Sequence, residues 1–177
     1  MKITIGDVMD DFIVSTPFQE HISLSDAMAG SSSVLYFLRY YGCTLCQMDM
    51  HTIASDYPRY KERGLKVFVV LQSAPETIRK QLSEDYEAFT VICDENRALY
   101  QQLGIKPAGS REELIGGNSA EKVAQAKNMG FTHGEYEGEE MQLPAVFVLD
   151  KNRKVLFSHY GSNAADIPAV EVVLDNA

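Results

Sequence analysis

The feature that most constrains the fold is a short apolar run followed closely by a pair of cysteines. Every residue from Val34 to Leu38 is apolar, and the run is too short to form a helix of its own. A strand buried on both faces of a parallel sheet has this pattern. Gly42 breaks the run, and from Cys46 onward apolar residues recur at helical spacing. The sequence therefore predicts a buried strand that turns sharply into a helix.

The first turn of that helix carries the motif Cys43-x-x-Cys46. Free backbone N–H groups and the positive end of the helix dipole stabilise a thiolate at such a position. Because Cys46 lies on the apolar stripe of the helix, we expect only Cys43 to face solvent. We interpret the motif as a redox dithiol in which Cys43 is the nucleophile and Cys46 resolves the oxidised intermediate.

Zinc binding is the alternative interpretation of any such cysteine pair. A structural zinc site needs four ligands, and the chain has three cysteines, four scattered histidines and no second cysteine pair. We therefore expect no metal and no cofactor other than the dithiol. The third cysteine, Cys93, ends a predicted strand; a buried thiol is the simpler expectation there, and a third redox partner is the alternative.

The length and the net charge of the chain limit its domain organisation and the classes of partner that it can bind. With 177 residues the chain can fill one core and does not demand two domains, so we predict a single domain over residues 1–177. The net charge of -9 argues against binding to nucleic acid or an anionic membrane surface. No run approaches membrane-spanning length, and the first residues do not resemble a signal peptide, so we expect a cytoplasmic protein. The oligomeric state stays open, with a dimer among the alternatives.

Further strands and helices alternate around the motif. The predicted strands are residues 67–71 and 89–93, a hairpin of 145–149 and 155–160, and short extended segments at 12–14 and 21–24. The predicted helices cover about 43–63, restarted or kinked at Pro58, and about 73–83, 94–103, 119–129 and 167–175. This order predicts an α/β fold with a central, mixed, mostly parallel sheet flanked by helices and an N-terminal β extension.

Residues 105–142 interrupt the alternation. This insertion holds one predicted helix between two glycine-containing loops, and ordered loops of that length are usually functional covers or mobile segments. We expect the insertion to cover or border the dithiol and to exchange its amide hydrogens faster than the core. Its acidic stretch, residues 135–140, is either a solvated loop or the rim of a substrate groove.

Several segments carry a family resemblance. The order of the elements resembles the thioredoxin fold. A strand precedes Cys43-x-x-Cys46, and Leu143-Pro144 precedes a later strand, which is followed by a hairpin and a closing helix. The following segments are similar to the peroxiredoxin-like alkyl hydroperoxide reductase/thiol-specific antioxidant (AhpC/TSA) family: Gly6-Asp7, Asp11-Phe12, residues 21–26, residues 93–100 and Leu103-Gly104. The resemblance spans most of the chain, with the insertion as its weakest part. It implies an antioxidant thiol–disulfide oxidoreductase that reduces disulfides or hydroperoxides, with a thioredoxin- or glutathione-type thiol donor.

The resemblance also implies roles for residues around the motif. Pro144 would be a cis-proline against the dithiol, with Leu143 offering its backbone to an extended substrate; a trans proline at the start of a strand is the alternative. Arg39 lowers the pKa of Cys43 if it turns inward, and is a solvated strand-end charge otherwise. Four further residues are expected to border the substrate: Tyr41, Gly42, Thr44 and Leu45.

Two departures from the peroxiredoxin pattern affect the expected chemistry. The peroxiredoxin pattern, by this resemblance, has Thr-x-x-Cys at the peroxidatic site and an arginine near the start of the later strand. If Cys46 is aligned with the peroxidatic cysteine, Cys43 replaces the threonine; if Cys43 is aligned there, Tyr40 replaces it. Pro144 takes approximately the place of the arginine. The missing groups would polarise a peroxide O–O bond. We therefore expect faster reaction with an accessible disulfide than with hydrogen peroxide, unless Arg39 turns toward Cys43 or the insertion supplies a donor. A noncatalytic redox-sensing or interaction module is the alternative function.

Overall fold

Two sheets are present in the structure, which is a computed structural model that describes all residues from 1 to 177. The strands are β1 (Ile13–Val14), β2 (Ile22–Ser23), β3 (Ser33–Phe37), β4 (Lys66–Leu71), β5 (Thr90–Cys93), β6 (Ala145–Leu149) and β7 (Val155–Tyr160). The first two pair with each other as the N-terminal extension. The other five form one sheet in the order β5-β4-β3-β6-β7.

The central sheet is mixed, as predicted. The β3–β4 and β4–β5 pairings are parallel, whereas β3–β6 and β6–β7 are antiparallel. The prediction of an α/β fold with strand β3 at its centre is confirmed. Strand β3 is buried along its whole length because it has a neighbouring strand on each side and a hydrophobic cluster on each face.

Alternate residues of β3 belong to different halves of the core. Val34 and Tyr36 point into one hydrophobic cluster, and Leu35 and Phe37 point into the other. Burying one such side chain contributes about 1.5–3 kcal/mol to the free energy of folding. The apolar run that predicts the strand therefore also stabilises the sheet between the two hydrophobic clusters. The end of β3 is therefore a rigid platform for the cysteine motif that follows it.

Eight helices surround the sheet. They are α1 (Leu24–Met28), α2 (Thr44–Ser55), α3 (Tyr57–Glu62), α4 (Pro75–Arg79), α5 (Ala98–Gln102), α6 (Arg111–Leu114), α7 (Ser119–Asn128) and α8 (Val170–Asp175). The restart predicted at Pro58 is confirmed, because α2 ends at Ser55 and Pro58 lies in the first turn of α3. None of the eight helices combines the length and apolarity needed to cross a membrane.

Helix α5 is shorter than the sequence predicts. Asp94 acts as the predicted cap, since its carboxylate accepts hydrogen bonds from the backbone of Ala98 and Leu99. However, the chain makes a turn after Asp94, and Arg97 adopts a left-handed conformation with φ 55°. The helix therefore begins only at Ala98.

The insertion holds α7 where the sequence predicts a helix, and also α6, which the sequence prediction missed. The hydroxyl of Ser110 caps α6 by accepting a hydrogen bond from the backbone N–H of Glu113. The spacing of these two residues is that of a capping box, so this helix had a local sequence signal. Helix α7 packs against α2 and thereby anchors the insertion to the helix that carries the cysteines.

Candidate active site

The two cysteines lie at the N-terminus of α2, as predicted. Cys43 is the N-cap residue, and its Sγ accepts a hydrogen bond of 3.2 Å from the backbone N–H of Cys46. An N–H group of the first helical turn, which has no acceptor within the helix, is thus directed at the Cys43 sulfur. The local geometry thus stabilises negative charge on Cys43.

Arg39 turns inward and contacts the first cysteine. Its Nη2 atom donates a hydrogen bond of 3.1 Å to Cys43 Sγ, and its backbone N–H donates one of 3.4 Å to Cys46 Sγ. The side chain is only 15% exposed. The sequence left two orientations of Arg39 open, inward toward Cys43 or outward into solvent. The structure has the inward orientation, which places a cation beside the nucleophile.

The pKa values of the two thiols differ in direction. Burial would raise the pKa of Cys43, but hydrogen bonds from the Cys46 thiol and backbone, together with the charge of Arg39, lower it to about 7. Burial raises the pKa of Cys46 well above its usual range, and the nearby Cys43 adds to this effect. Burial also raises the pKa of Cys93 to about 12. Cys43 is therefore the thiol that ionises near neutral pH.

Cys43 is fully buried, and the expectation that it faces solvent is wrong. Residues 132–140 of the insertion, which we name the cover segment, lie across the N-terminus of α2. The backbone N–H of Gly134 donates a 2.8 Å hydrogen bond to the carbonyl of Gly42, and Gln47 Nε2 donates one of 2.8 Å to the carbonyl of Thr132. Sequence periodicity along α2 could not show this burial, because the covering residues come from far along the chain.

Close backbone approach explains why residue 42 is glycine. A Cβ atom at Gly42 would lie 2.9 Å from both the carbonyl carbon of Gly134 and the backbone nitrogen of Glu135. Contacts that short require the cover segment to move. The closed arrangement therefore depends on the missing side chain at this position.

Further hydrogen bonds hold the cover segment along its length. The Tyr40 hydroxyl bonds to His133 Nε2 at 2.9 Å, and Arg39 Nη1 donates to the carbonyl of Glu140 at 2.9 Å. The Glu137 carboxylate accepts a 2.9 Å hydrogen bond from the Thr77 hydroxyl. The prediction that the insertion covers the dithiol is confirmed, whereas its faster amide exchange stays a prediction.

Pro144 follows a trans peptide bond, so the expected cis-proline is wrong. The proline lies just before β6, its carbonyl accepts a 2.8 Å hydrogen bond from the N–H of Gly161, and its ring packs against that glycine. A proline at the first position of a strand needs no N–H, and the trans form of an X-Pro bond is favoured by about 0.5–1 kcal/mol without specific contacts. The resemblance, and no local feature, led to the cis prediction.

The other predicted substrate-binding residues are buried or half-buried. Leu143 is buried in a small cluster with Ala108 and Leu114, and its carbonyl accepts a hydrogen bond from Gln142. Around the motif, Tyr41 is half-buried, and three residues are buried: Gly42, Thr44 and Leu45. Their role in substrate binding stays a prediction.

Sequence reasoning missed the residues that reach the site from other elements. These are His133 of the cover segment, and Gln72 after β4, whose Oε1 accepts a 2.7 Å hydrogen bond from the N–H of Glu139. Glu137 and Glu140 also reach the site, from the acidic stretch predicted to be either a solvated loop or the rim of a substrate groove. Their partners lie dozens of residues away in the chain, so no local motif indicates them. One missed residue did have a local signal: Asp49 follows Cys46 by three positions on the buried face of α2.

The fold and the ionised thiol beside a second cysteine define the class of this protein, a thiol-dependent oxidoreductase. Residues 5–158 match the family model described as AhpC/TSA family, so the chain belongs to that family. The resemblance stated from the sequence is confirmed.

Individual relatives agree with this membership. The chain is similar to a prostamide/prostaglandin F synthase of Aquarana catesbeiana, at 25% identity over 88% of this chain and 77% of the relative. It is also similar to the thiol-disulfide oxidoreductase ResA of Oceanobacillus iheyensis, at 30% identity over 64% of this chain and 65% of the relative. A yeast mitochondrial 1-Cys peroxiredoxin, whose thiol is resolved via glutathione/thioredoxin systems, shares the thioredoxin-like fold with TM-score 0.67 and 16% identity over 97% and 73% of the two chains.

The different surroundings of the two thiols predict which one reacts first. At neutral pH a small alkylating reagent should modify Cys43 before Cys46, and the rate should rise with pH through about 7, as the Cys43 thiol loses its proton. Cys46→Ser should accumulate mixed disulfides at Cys43, and Cys43→Ser should be inert. Peptide mapping after partial alkylation measures the order; preferential labelling of Cys46 would contradict the assignment.

Proposed function

We propose that the reduced protein acts on small hydroperoxides, with Cys43 as the peroxidatic thiol and Cys46 as the resolving thiol. One observation supports this choice of oxidant: a guanidinium nitrogen of Arg39 lies 3.1 Å from Cys43 Sγ. From the sequence we expect faster reaction with a disulfide than with hydrogen peroxide unless Arg39 turns toward Cys43. Arg39 does turn toward Cys43, so that expectation is reversed here. The complete burial of Cys43 also favours a small oxidant over a protein disulfide.

The proposed first step is displacement at oxygen. The Cys43 thiolate attacks the terminal peroxide oxygen, an S–O bond forms, the O–O bond breaks, and the departing alkoxide or hydroxide takes a proton to leave as alcohol or water. Cys43 becomes a sulfenic acid. Because negative charge grows on the departing oxygen, a fixed cation next to the sulfur lowers the barrier. Arg39 is the residue positioned to supply that charge.

In the proposed second step, Cys46 attacks the sulfenic sulfur, and the Cys43–Cys46 disulfide forms with release of water. A dithiol or glutathione-type donor then restores the reduced protein by thiol–disulfide exchange. We propose a thioredoxin- or glutathione-type donor because the yeast peroxiredoxin of the same fold is resolved via those systems. A reducing compartment such as the cytoplasm would supply it.

Stopped-flow oxidation of the reduced protein by hydrogen peroxide, an organic hydroperoxide and a protein disulfide, side by side, tests the proposal. We expect at least one peroxide to oxidise Cys43 faster than the disulfide does. A faster reaction with the disulfide would overturn the choice of oxidant. Slow oxidation by all three, with no turnover by a dithiol donor, would instead favour the noncatalytic sensor.

A further inference from the structure

A cavity of about 340 Å³ lies at the edge of the central sheet, and neither cysteine of the motif lines it. One wall comes from residues 16–27 of the N-terminal extension, and the other comes from α4 and the loop that follows it. Between the two walls lies β5, the strand at the edge of the sheet. We name this cavity the edge slot.

The backbone of Val91 points into the edge slot. Backbone groups of successive strand residues alternate between the two sides of a strand. The N–H of Asp94 faces the neighbouring strand, because it donates a 2.8 Å hydrogen bond to the carbonyl of Leu71 in β4. The N–H of Cys93 faces the open edge, where it donates one of 2.8 Å to the carbonyl of Ser15. Val91, two residues before Cys93, therefore directs its N–H and C=O to the open edge as well.

No protein group pairs with this N–H and C=O, although Val91 is only 3% exposed. Buried backbone donors and acceptors are paired in the great majority of cases. The N-terminal extension does not complete the pairing, since its chain turns away after Ser15. In that turn the N–H of Thr16 donates a 2.7 Å hydrogen bond to the carbonyl of Gln19. The edge slot thus offers one unused pair of strand hydrogen bonds.

Both walls of the edge slot supply apolar contacts. Ile78 and Phe89 belong to the hydrophobic cluster on one face of the sheet. On the other face, Phe68 belongs to the second cluster and Ile22 packs against it. Side chains of an added strand would point alternately to the two faces. An extended chain with apolar side chains therefore fits between the walls.

The charge of the lining indicates the sign of the ligand. Asp26 and Glu84 line the edge slot, one on each wall, and no lysine, arginine or histidine does. Both residues are exposed, and neither takes part in an ion pair. Arg79, beside the slot, is already engaged, because it pairs with Glu76 and donates to the carbonyl of Pro17. A cationic ligand is the complement of these two carboxylates.

We propose that the edge slot binds an extended, basic segment of another protein, which adds to the five-stranded sheet beside β5. The backbone of the segment pairs with the N–H and C=O of Val91, its apolar side chains fill the slot, and a lysine or arginine meets Asp26 or Glu84. A second copy of this chain is a poor occupant. Each copy has a net charge of -9 and would bring the same two carboxylates to the contact.

Fluorescence polarisation with the full-length protein tests the proposal. The probe is a fluorescein-labelled peptide, Lys-Val-Thr-Val-Lys, and its counterpart is Glu-Val-Thr-Val-Glu. We expect the lysine peptide to bind about 10-fold tighter or more, with the difference shrinking at high salt. The readout involves no thiol chemistry, so the result is independent of the oxidant proposed for Cys43.

Variants of the two carboxylates separate the edge slot from the overall charge. Asp26→Asn combined with Glu84→Gln should weaken binding of the lysine peptide about 5-fold or more. The matched control is Asp10→Asn combined with Glu87→Gln, which removes the same charge from exposed residues that do not line the slot. Equal weakening in the two double variants would show binding by net charge alone and would overturn the proposal.

The strand pairing is tested by removing N–H groups. Val91→Pro loses no hydrogen bond of the sheet, since that N–H faces the open edge, but it should weaken binding about 10-fold or more. Methylating alternate backbone nitrogens of the peptide should have a similar effect for one set of nitrogens and little effect for the other. These methylated peptides leave the protein unaltered, so they decide the matter if circular dichroism shows that Val91→Pro does not fold.

Three results would contradict strand addition. The first is the absence of saturable binding of the lysine peptide. The second is equal affinity for the unmethylated peptide and both methylated ones. The third comes from analytical ultracentrifugation of the protein alone: a dimer that Val91→Pro dissociates would show that a second copy occupies the edge slot.

Discussion

Replacing Arg39 by methionine is expected to slow the oxidation of Cys43 by hydrogen peroxide about 100-fold near neutral pH. Methionine keeps much of the length of the side chain but removes the cation that lies 3.1 Å from Cys43 Sγ. Two effects combine: the pKa of Cys43 rises because a stabilising charge is lost, and the departing oxygen loses its electrostatic partner. Stopped-flow kinetics of peroxide oxidation in the single variant measures their sum.

The two effects are separated by pH. Alkylation of Cys43 depends on the thiolate fraction and not on stabilisation of a departing oxygen, so it should approach the wild-type rate once the pH exceeds the raised pKa. Peroxide oxidation should stay slow there. Arg59→Met is the control, because Arg59 pairs with Asp56 and Glu171 at the surface. A peroxide rate in Arg39→Met that equals wild type at high pH would show that Arg39 acts on the thiol pKa alone.

Gly42→Ala is expected to open the site and to raise the rate at which a bulky disulfide reacts with Cys43 about 10-fold or more. The new methyl group would lie 2.9 Å from the backbone of Gly134 and Glu135, so the cover segment must move. A small alkylating reagent should be affected less, because it needs a smaller displacement of the cover segment to reach the sulfur. Parallel kinetics with the two reagents measure the change in size dependence.

The matched control is Gly109→Ala, in the same insertion. A Cβ atom there meets only the end of the Glu113 side chain, at 3.3 Å, and no backbone. Its reactivity with both reagents should equal wild type. Equal size dependence in Gly42→Ala and wild type would mean that the cover segment does not limit access to Cys43.

The parts of the fold that follow from sequence are those with a local pattern. Most of β3 belongs to the unbroken apolar run 34–38, the break before Pro58 follows from proline sterics, and α7 has a polar sequence of helix formers between glycines. Each of these depends on residues close together in the chain. The dithiol at the start of α2 is predictable for the same reason.

The parts that sequence alone could not give depend on long-range contacts. The burial of Cys43 is imposed by residues about 90 positions later, and the inward turn of Arg39 depends on a carbonyl of the cover segment. Pro144 shows the opposite error, because a resemblance supplied a conformation that its neighbours do not have. In each case the deciding partner is adjacent in space and distant in sequence.

Arg39 connects the reactivity of the site to its accessibility. One guanidinium nitrogen binds Cys43 Sγ and another binds the carbonyl of Glu140 in the cover segment. An oxidant large enough to displace that segment therefore also removes a hydrogen bond that orients the cation beside the sulfur. A small oxidant that enters without displacing it meets the thiolate with its cation in place. The enzyme would thus discriminate by size through a change in barrier height as well as through exclusion, and its preference would be visible in rate constants even where every oxidant eventually enters.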